Sequence, residues 1–175
     1  ERAEKMAHLR ELAEQHRSAI ASVEETVTAL AETINAAVTA GKEKAPVLKI
    51  SSKDLPFGTE ENTSEGTAFK NLVIYDLCLA NSCPIPVLIH DSNILIKIDN
   101  AYLEEILRQY QGTGKQVFIV LDKLESVSTG TQAILNEATL MHLSDGHELF
   151  GTSWSKIVQK PTEEAKETEN HGEDQ

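Results

Sequence analysis

The sequence predicts an α/β protein in which a long N-terminal helix leads into a mainly parallel sheet that ends in a β-hairpin. Three observations predict this fold. The first forty residues carry a heptad pattern of apolar positions, interrupted only by His16, which is typical of a coiled-coil helix. Apolar runs at 86–91 and 116–122 each end in an aspartate and alternate with helical patterns, which is typical of βαβ units with right-handed crossovers. A turn signal at 144–146 separates two short β-prone segments near the C-terminus.

The predicted coiled-coil arm spans residues 1–44. Its apolar positions alternate strictly between spacings of three and four, and this period predicts a left-handed supercoil. Gly41 supplies a C-terminal stop. Because the seam includes two alanines and a histidine, it buries little, and we expect it to need a partner, either a second copy of the chain or an upstream helix of the same polypeptide. The seam residues are Met6, Leu9, Ala13, His16, Ile20, Val23, Val27, Leu30, Ile34 and Ala37.

The predicted body spans residues 45–158, and its elements follow from local patterns. The polar stretch at 51–63 contains proline and glycine and predicts no regular element. The two apolar runs predict strands that are buried on both faces, as in a parallel sheet. The predicted elements are a β-prone segment at 46–50, a helix at 65–81, a strand at 86–91, a helix from the capping residue Asp99 to about 111, a strand at 116–122 and a short helix at 128–137.

Composition narrows the class of protein. The chain has 175 residues, two cysteines and a formal net charge of −12, and this acidic balance argues against a free-standing binder of nucleic-acid backbones. No apolar run approaches the roughly 18 residues of a membrane span, and the few cysteines fit a cytoplasmic setting. Residues 159–175 hold six acidic and two basic residues, net −4, which predicts a disordered tail that either binds a partner or aids solubility. The chain begins with Glu1 and not with Met, so we expect a piece of a longer polypeptide.

Two predicted strands end in carboxylates, Asp91 and Asp122. In open α/β sheets, ligands bind at the carboxyl ends of the strands, and carboxylates placed there suit a hydrated Mg²⁺. The alternative is that each aspartate caps the loop that follows it. His90 either approaches the same ligand or is a buried, hydrogen-bonded residue, and Cys78 is expected to be a small core residue.

A second candidate site opens the helix at 65–81. Ser64 and Thr63 can cap this helix, and Gly66 would let an anion approach backbone N–H groups, which favours a phosphate. The Gly-Lys pair at 114–115 is not a phosphate loop, because Gln116 replaces the required serine or threonine and the segment follows a helix. The chain therefore has no Walker A motif.

Several motifs, in a fixed order, carry a family resemblance. The motifs lie at 66–77, 88–92, 115–119, 121–124 and 148–156. They resemble the C-terminal half of an ATPase head of the SMC/RecN type, within the ABC superfamily of P-loop ATPases. More closely, they are similar to a bacterial family of unknown function, the YydD-like coiled-coil ATPases.

The resemblance implies a composite ATP site. The Walker A motif would lie in an N-terminal lobe upstream, and residues 1–40 would pair with an antiparallel coiled-coil helix of the same protein. Ser64, Glu65, Gly66 and Thr67 would occupy the ABC signature position and contact the γ-phosphate of ATP held by the opposing head, so that ATP joins two heads into a homodimer. Asp91 would be the Walker B acid that binds Mg²⁺ through water.

The sequence departs from the family pattern at the catalytic positions. Ser92 stands where most ABC ATPases have the glutamate that orients the attacking water, and Glu65 stands within a signature that is usually Ser-Gly-Gly. Asp122 occupies the position of the switch histidine. We interpret Asp91, Ser92 and Asp122 as the catalytic positions, with Asp122 as a substitute base. The alternative is slow hydrolysis, with ATP acting as a clamp.

The sequence is compatible with two functions. The first is half of an SMC-like ATPase, in DNA repair or anti-phage defence, which would be inactive without its N-terminal lobe. The alternative is a non-enzymatic α/β scaffold or sensor that its coiled coil dimerises. The sequence shows no surface for DNA, so a basic surface that contacts DNA would have to come from the N-terminal lobe or the second arm.

Overall fold

The computed structural model describes residues 1–62, 64–121, 126–144 and 147–151. These residues contain five helices and four strands, and the predicted helices at 65–81 and 128–137 are confirmed to within one residue at each end. In chain order the elements are α1 (Arg2–Thr39), β1 (Val47–Leu48), β2 (Phe57–Gly58), α2 (Glu65–Ser82), β3 (Val87–His90), α3 (Ser92–Leu95), α4 (Asn100–Gly112), β4 (Gln116–Ile119) and α5 (Thr129–Ala138).

Helix α1 ends where the sequence predicts. Ala40 and Gly41 both adopt left-handed backbone conformations, with φ angles of 50° and 71°. The Gly41 N–H donates to the Ala36 carbonyl at 3.0 Å, which satisfies one of the free carbonyls of the last turn. The chain then turns back towards the body, so that the base of the helix is anchored.

The two halves of α1 have different surroundings. Residues 1–19 are exposed throughout, whereas the later turns bury Val27, Ala31, Ile34 and Val38. The predicted seam is therefore wrong near the base, where Ala37 is exposed. A helix that packs on a globular body follows its natural 3.6-residue period, which moves the buried face away from the strict heptad seam.

Strands β1 and β2 form a small antiparallel pair, with Val47 opposite Gly58. The prediction of an irregular stretch at 51–63 is wrong at Phe57–Gly58. Helix α1 supports this pair through side chains, because Thr28 Oγ1 accepts the N–H of Leu48 at 3.3 Å. Such short strands lack the alternation that reveals a strand in a sequence.

Strands β3 and β4 pair in parallel, as predicted, and α3 and α4 lie in the connection between them. The prediction that both faces are buried is wrong. On the outer face Ile89 is 69% exposed and Val120 60%, and Phe118 is exposed as well. The inner face carries the buried Leu88 and His90, which belong to the core. The inner face of the β3–β4 pair is covered by the core, whereas no described element lies over the outer face.

The hydrophobic core draws on α1, α2, α4 and the inner face of β3. Its fully or nearly buried members are Val27, Ala31, Ile34, Val38, Leu48, Val73, Ile74, Leu77, Cys78, Ala80, Leu88, Leu95, Ile98, Leu103, Ile106, Leu107 and Tyr110. Helix α4 contributes the predicted face of Leu103, Ile106, Leu107 and Tyr110, and Asp99 caps it by accepting the Ala101 N–H at 2.9 Å. This core holds α2 and β3, the two elements that carry the candidate site.

The chain divides into two compact units, Glu1–Leu135 and Asn136–Gln175. In the described part of the second unit, Ser144 and His147 form a single antiparallel bridge at the position of the predicted hairpin. The turn residues at 145–146 lie outside the described residues, as does the predicted tail at 159–175. The domain boundaries after residues 44 and 158 stay predictions.

Candidate functional site

Asp91 lies immediately after β3, at the strand end where the sequence predicts it. It occupies the N-cap position of α3, but its carboxylate makes no hydrogen bond to the helix backbone. Instead, its two oxygens accept side-chain donors, the Ser92 hydroxyl at 3.3 Å and the Asn93 amide at 3.1 Å. Asp91 is exposed, so its carboxylate is open to solvent and is not used as a helix cap.

The surroundings of Asp91 decide which kind of metal site is feasible. Mg²⁺ keeps several of its waters and binds proteins through one or two carboxylates. In the described ranges, no group of three or more His, Cys, Asp or Glu side chains is arranged to hold an ion directly. Among the described side chains, the surroundings of Asp91 are compatible with a carboxylate that contacts hydrated Mg²⁺ through water. The second predicted carboxylate, Asp122, lies outside the described residues.

The start of α2 is a well-formed helix cap. Ser64 Oγ accepts the Thr67 N–H at 3.3 Å, and the Ser64 hydroxyl contacts Thr67 Oγ1 at 2.8 Å. Glu65 pairs with Lys97, with 3.1 Å between carboxylate and ammonium. A Cβ atom at Gly66 would lie 3.0 Å from the Lys97 carbonyl oxygen. This close backbone contact is one reason for glycine at position 66, and the predicted approach of an anion stays a prediction.

The predicted residues form two separate groups. Ser64 and Thr67 contact each other, and so do Asp91 and Ser92. No hydrogen bond or ion pair among the described residues joins one group to the other. The link is indirect and runs through Lys97, which follows α3 in the chain and holds the start of α2.

A hydrogen-bonded group beside Asp91 was only partly predicted. The His90 ring is buried, with Nδ1 2.5 Å from the Tyr110 hydroxyl and Nε2 2.8 Å from Asp76 Oδ2. A neutral ring satisfies both contacts when the tyrosine donates to Nδ1 and Nε2–H donates to the carboxylate. Burial, together with the Asp76 charge, raises the pKa of Tyr110, so this hydroxyl stays protonated and can donate.

This group confirms the prediction that His90 is buried and hydrogen-bonded. Its partners were not predicted, because they lie 14 and 20 residues away on α2 and α4. Asp76 interrupts an otherwise apolar helical stretch, and that polar position was the signal available in the sequence. The three side chains tie both helices to the end of β3, next to Asp91.

A second polar group lies at the base of the arm. The Lys70 ammonium is buried and donates to Glu43 Oε2 at 2.5 Å and to Asn35 Oδ1 at 3.0 Å. The Tyr102 hydroxyl donates to the other Glu43 oxygen at 2.8 Å. The hydrogen bond from Lys70 lowers the pKa of Glu43, with burial opposing it and Tyr102 adding to it. This cluster joins α1, α2 and α4 and was not predicted.

Cys78 is a core residue, as predicted. Its side chain is buried, with Sγ 3.9 Å from the Val27 carbonyl oxygen. Burial raises the pKa of its thiol to about 12, so it stays protonated and unreactive at neutral pH.

Comparison with known families places the chain. The family model "Uncharacterised protein conserved in bacteria (DUF2326)" matches residues 27–154, which is most of the chain. The chain belongs to this family. The DUF2326 match begins at Val27, the first buried residue of α1, and it includes both candidate groups. No curated protein matches the chain.

The length and apolar content of the helices show whether any of them could cross a membrane. Within the described part of this DUF2326 chain, none of them is both long enough and apolar enough to span a bilayer.

Proposed function

We propose that this DUF2326 chain supplies one side of a composite ATP site, as the C-terminal lobe of an SMC/RecN-like coiled-coil ATPase head. The observation that carries the proposal is the end of β3. There a parallel strand delivers an exposed carboxylate, Asp91, which is not used to cap the following helix. A strand-end carboxylate in a parallel sheet is well placed to hold a hydrated cation.

The open face of the β3–β4 pair supports the proposal. Parallel sheets occur almost only where both faces are covered. Here Ile89, Phe118 and Val120 leave an apolar outer face exposed. Elements of another segment that pack over this face would cover it, and an N-terminal lobe with a Walker A motif is the segment that we propose.

In this proposal, the candidate residues of one head would contact ligands bound to two different heads. Asp91 would hold hydrated Mg²⁺, while the network of Asp76, His90 and Tyr110 keeps the strand end in place. The helix start at Ser64–Thr67 would contact the γ-phosphate of ATP bound to the opposing head. ATP, when bound, would supply the phosphate charge that this helix start contacts, and that contact would join the two heads. Ser92 has no carboxylate, so Asp122 is proposed as the base.

A scaffold function is the competing proposal, and one observation favours it. The start of α2 is already used in packing, through the Glu65–Lys97 ion pair and the close contact of Gly66. On that basis, Ser64–Thr67 would be a structural cap with no ligand. The coding sequence upstream separates the two proposals. A Gly-x-x-x-x-Gly-Lys-Ser/Thr motif and a second heptad segment favour the ATPase, and their absence favours the scaffold.

The direct test uses the complete polypeptide, with Asp91→Asn as the variant and Glu60→Gln as the control. Glu60 is an exposed carboxylate in a loose pair with Lys49 at 3.5 Å. We expect Asp91→Asn to lower ATP turnover about 100-fold or more and to weaken the Mg²⁺ dependence of binding of a fluorescent ATP analogue. Glu60→Gln should leave both unchanged. Wild-type turnover and Mg²⁺ dependence in Asp91→Asn would overturn the proposal.

A further inference from the structure

The exposed half of α1 presents an apolar strip that nothing in the described chain covers. Met6 is 49% exposed, Leu9 50% and Val23 49%, and Leu12 widens the strip on one side. A lone helix of this length gains little stability from its own hydrogen bonds and needs packing along an apolar face. We therefore expect another helix to pack on this apolar strip.

The charged residues beside the strip indicate which kind of helix can pack on it. If Met6 is heptad position a and Leu9 is position d, Lys5 falls at g, and Arg10 and Arg17 fall at e. These three are the charged residues at e and g between residues 2 and 23. The acidic residues of the same segment fall at the outer positions b and f, away from the strip. These outer residues are Glu4, Glu11 and Glu14.

This pattern disfavours pairing with a second copy. In a parallel pair, position g faces position e of the next heptad, so Lys5 would face Arg10 of the other copy. In an antiparallel pair, e faces e and g faces g, which again sets basic residues opposite basic residues. Like charges opposite one another across a coiled coil oppose association. Self-association would therefore bring repulsion along both edges of the strip.

We propose that the arm, residues 2–23 of α1, binds a helix of different sequence whose apolar seam is flanked by Asp and Glu residues, and not a second copy of itself. Arg17 is held only loosely at present, since its ion pair with Glu14 at 3.0 Å joins two side chains that are at least 70% exposed. Exposed pairs of this kind contribute little, so the arginine is available to a partner. The inference is drawn from the arm alone and does not depend on ATP binding or hydrolysis.

The test uses the 175-residue chain itself as the probe. The triple variant Lys5→Glu, Arg10→Glu, Arg17→Glu keeps the apolar seam and makes both flanks acidic. All three residues are exposed, so we expect the fold to be retained. A labelled wild-type chain is titrated with this variant and with unlabelled wild type at low salt, and association is followed by energy transfer and by sedimentation equilibrium.

We expect the wild type to bind the acidic-flank variant about tenfold or more tightly than it binds itself, with the difference shrinking as salt screens the charges. The control variant Gln15→Glu, Ser18→Glu, Ser22→Glu adds acid at outer positions and should bind no better than wild type. Equal self-association, no binding of the acidic-flank variant, or equally tight binding of the control would each overturn the proposal. Because no nucleotide is present, none of these results bears on the ATPase proposal.

Discussion

The buried ion pair between Lys70 and Glu43 fixes the base of the arm, and Glu43→Gln tests this directly. The Lys70 side chain is 2% exposed and that of Glu43 is 31% exposed. Glutamine keeps the shape, but it removes the charge and replaces one of the two oxygens that accept from Lys70 and from Tyr102 with an NH₂ group that only donates. The variant therefore leaves a buried ammonium without its counter-charge.

The expected cost follows from this geometry. Removing one partner of a fully buried pair costs about 3–5 kcal/mol, and the partial exposure of Glu43 lowers our expectation to about 2 kcal/mol. The double variant Glu43→Gln, Lys70→Met removes both charges, so it should be more stable than Glu43→Gln alone. Glu61→Gln is the matched control, because Glu61 and Lys44 form an exposed pair at 3.5 Å, and it should cost less than about 0.5 kcal/mol.

The pH dependence gives an independent check. Since the folded-state pKa of Glu43 lies below its ordinary value of 4.5, the carboxylate contributes stability above that pH, and the contribution is lost as the pH falls through the folded-state pKa. The difference in unfolding free energy between wild type and Glu43→Gln should therefore narrow in acid. Urea unfolding followed by circular dichroism measures both effects. A Glu43→Gln variant as stable as Glu61→Gln would refute the reasoning.

Four further predictions concern the site and the surface. Gly66→Ala should destabilise the chain by about 1 kcal/mol in urea unfolding, because the new Cβ meets a backbone carbonyl, whereas Gly112→Ala faces open space and should not. Iodoacetamide at about pH 8 should label Cys83 and spare Cys78 until the chain unfolds, and labelling of both at equal rates would contradict the burial of Cys78. In the complete polypeptide, Asp122→Asn should abolish ATP turnover and spare ATP-driven dimerisation, and unchanged turnover would exclude a role for it as base. The 175-residue chain should show no salt-dependent binding to duplex DNA in fluorescence anisotropy, given its net charge of −12.

The helices were predictable because their apolar residues recur at helical spacing over many turns. The α2 helix and the stop of α1 at Gly41 follow from such local signals. The parallel pairing of β3 with β4 was also predictable, since apolar runs alternate with helical patterns. Strand β2 was not, because two residues within a polar stretch carry no period.

Some polar groups of the site could be predicted from the sequence and others could not. Asp91 could be predicted at a strand end, because the run that precedes it is apolar. The burial of Lys70 could not, because its partner Glu43 lies 27 residues upstream in a loop. The contact of His90 with Tyr110 likewise depends on how α4 packs against β3, which no local pattern encodes. Long-range polar contacts form only once the core has brought the helices together.

The measurement that tests the central claim most directly is ATP-driven dimerisation of the complete polypeptide carrying Ser64→Asp. Aspartate is as good an N-cap as serine, so α2 is retained, but its charge would repel a phosphate at this helix start. The account predicts that Ser64→Asp abolishes ATP-dependent dimers in sedimentation velocity while each head still binds ATP, and that the neutral cap Ser64→Asn dimerises nearly as wild type. Dimerisation of Ser64→Asp at wild-type ATP concentrations would contradict it.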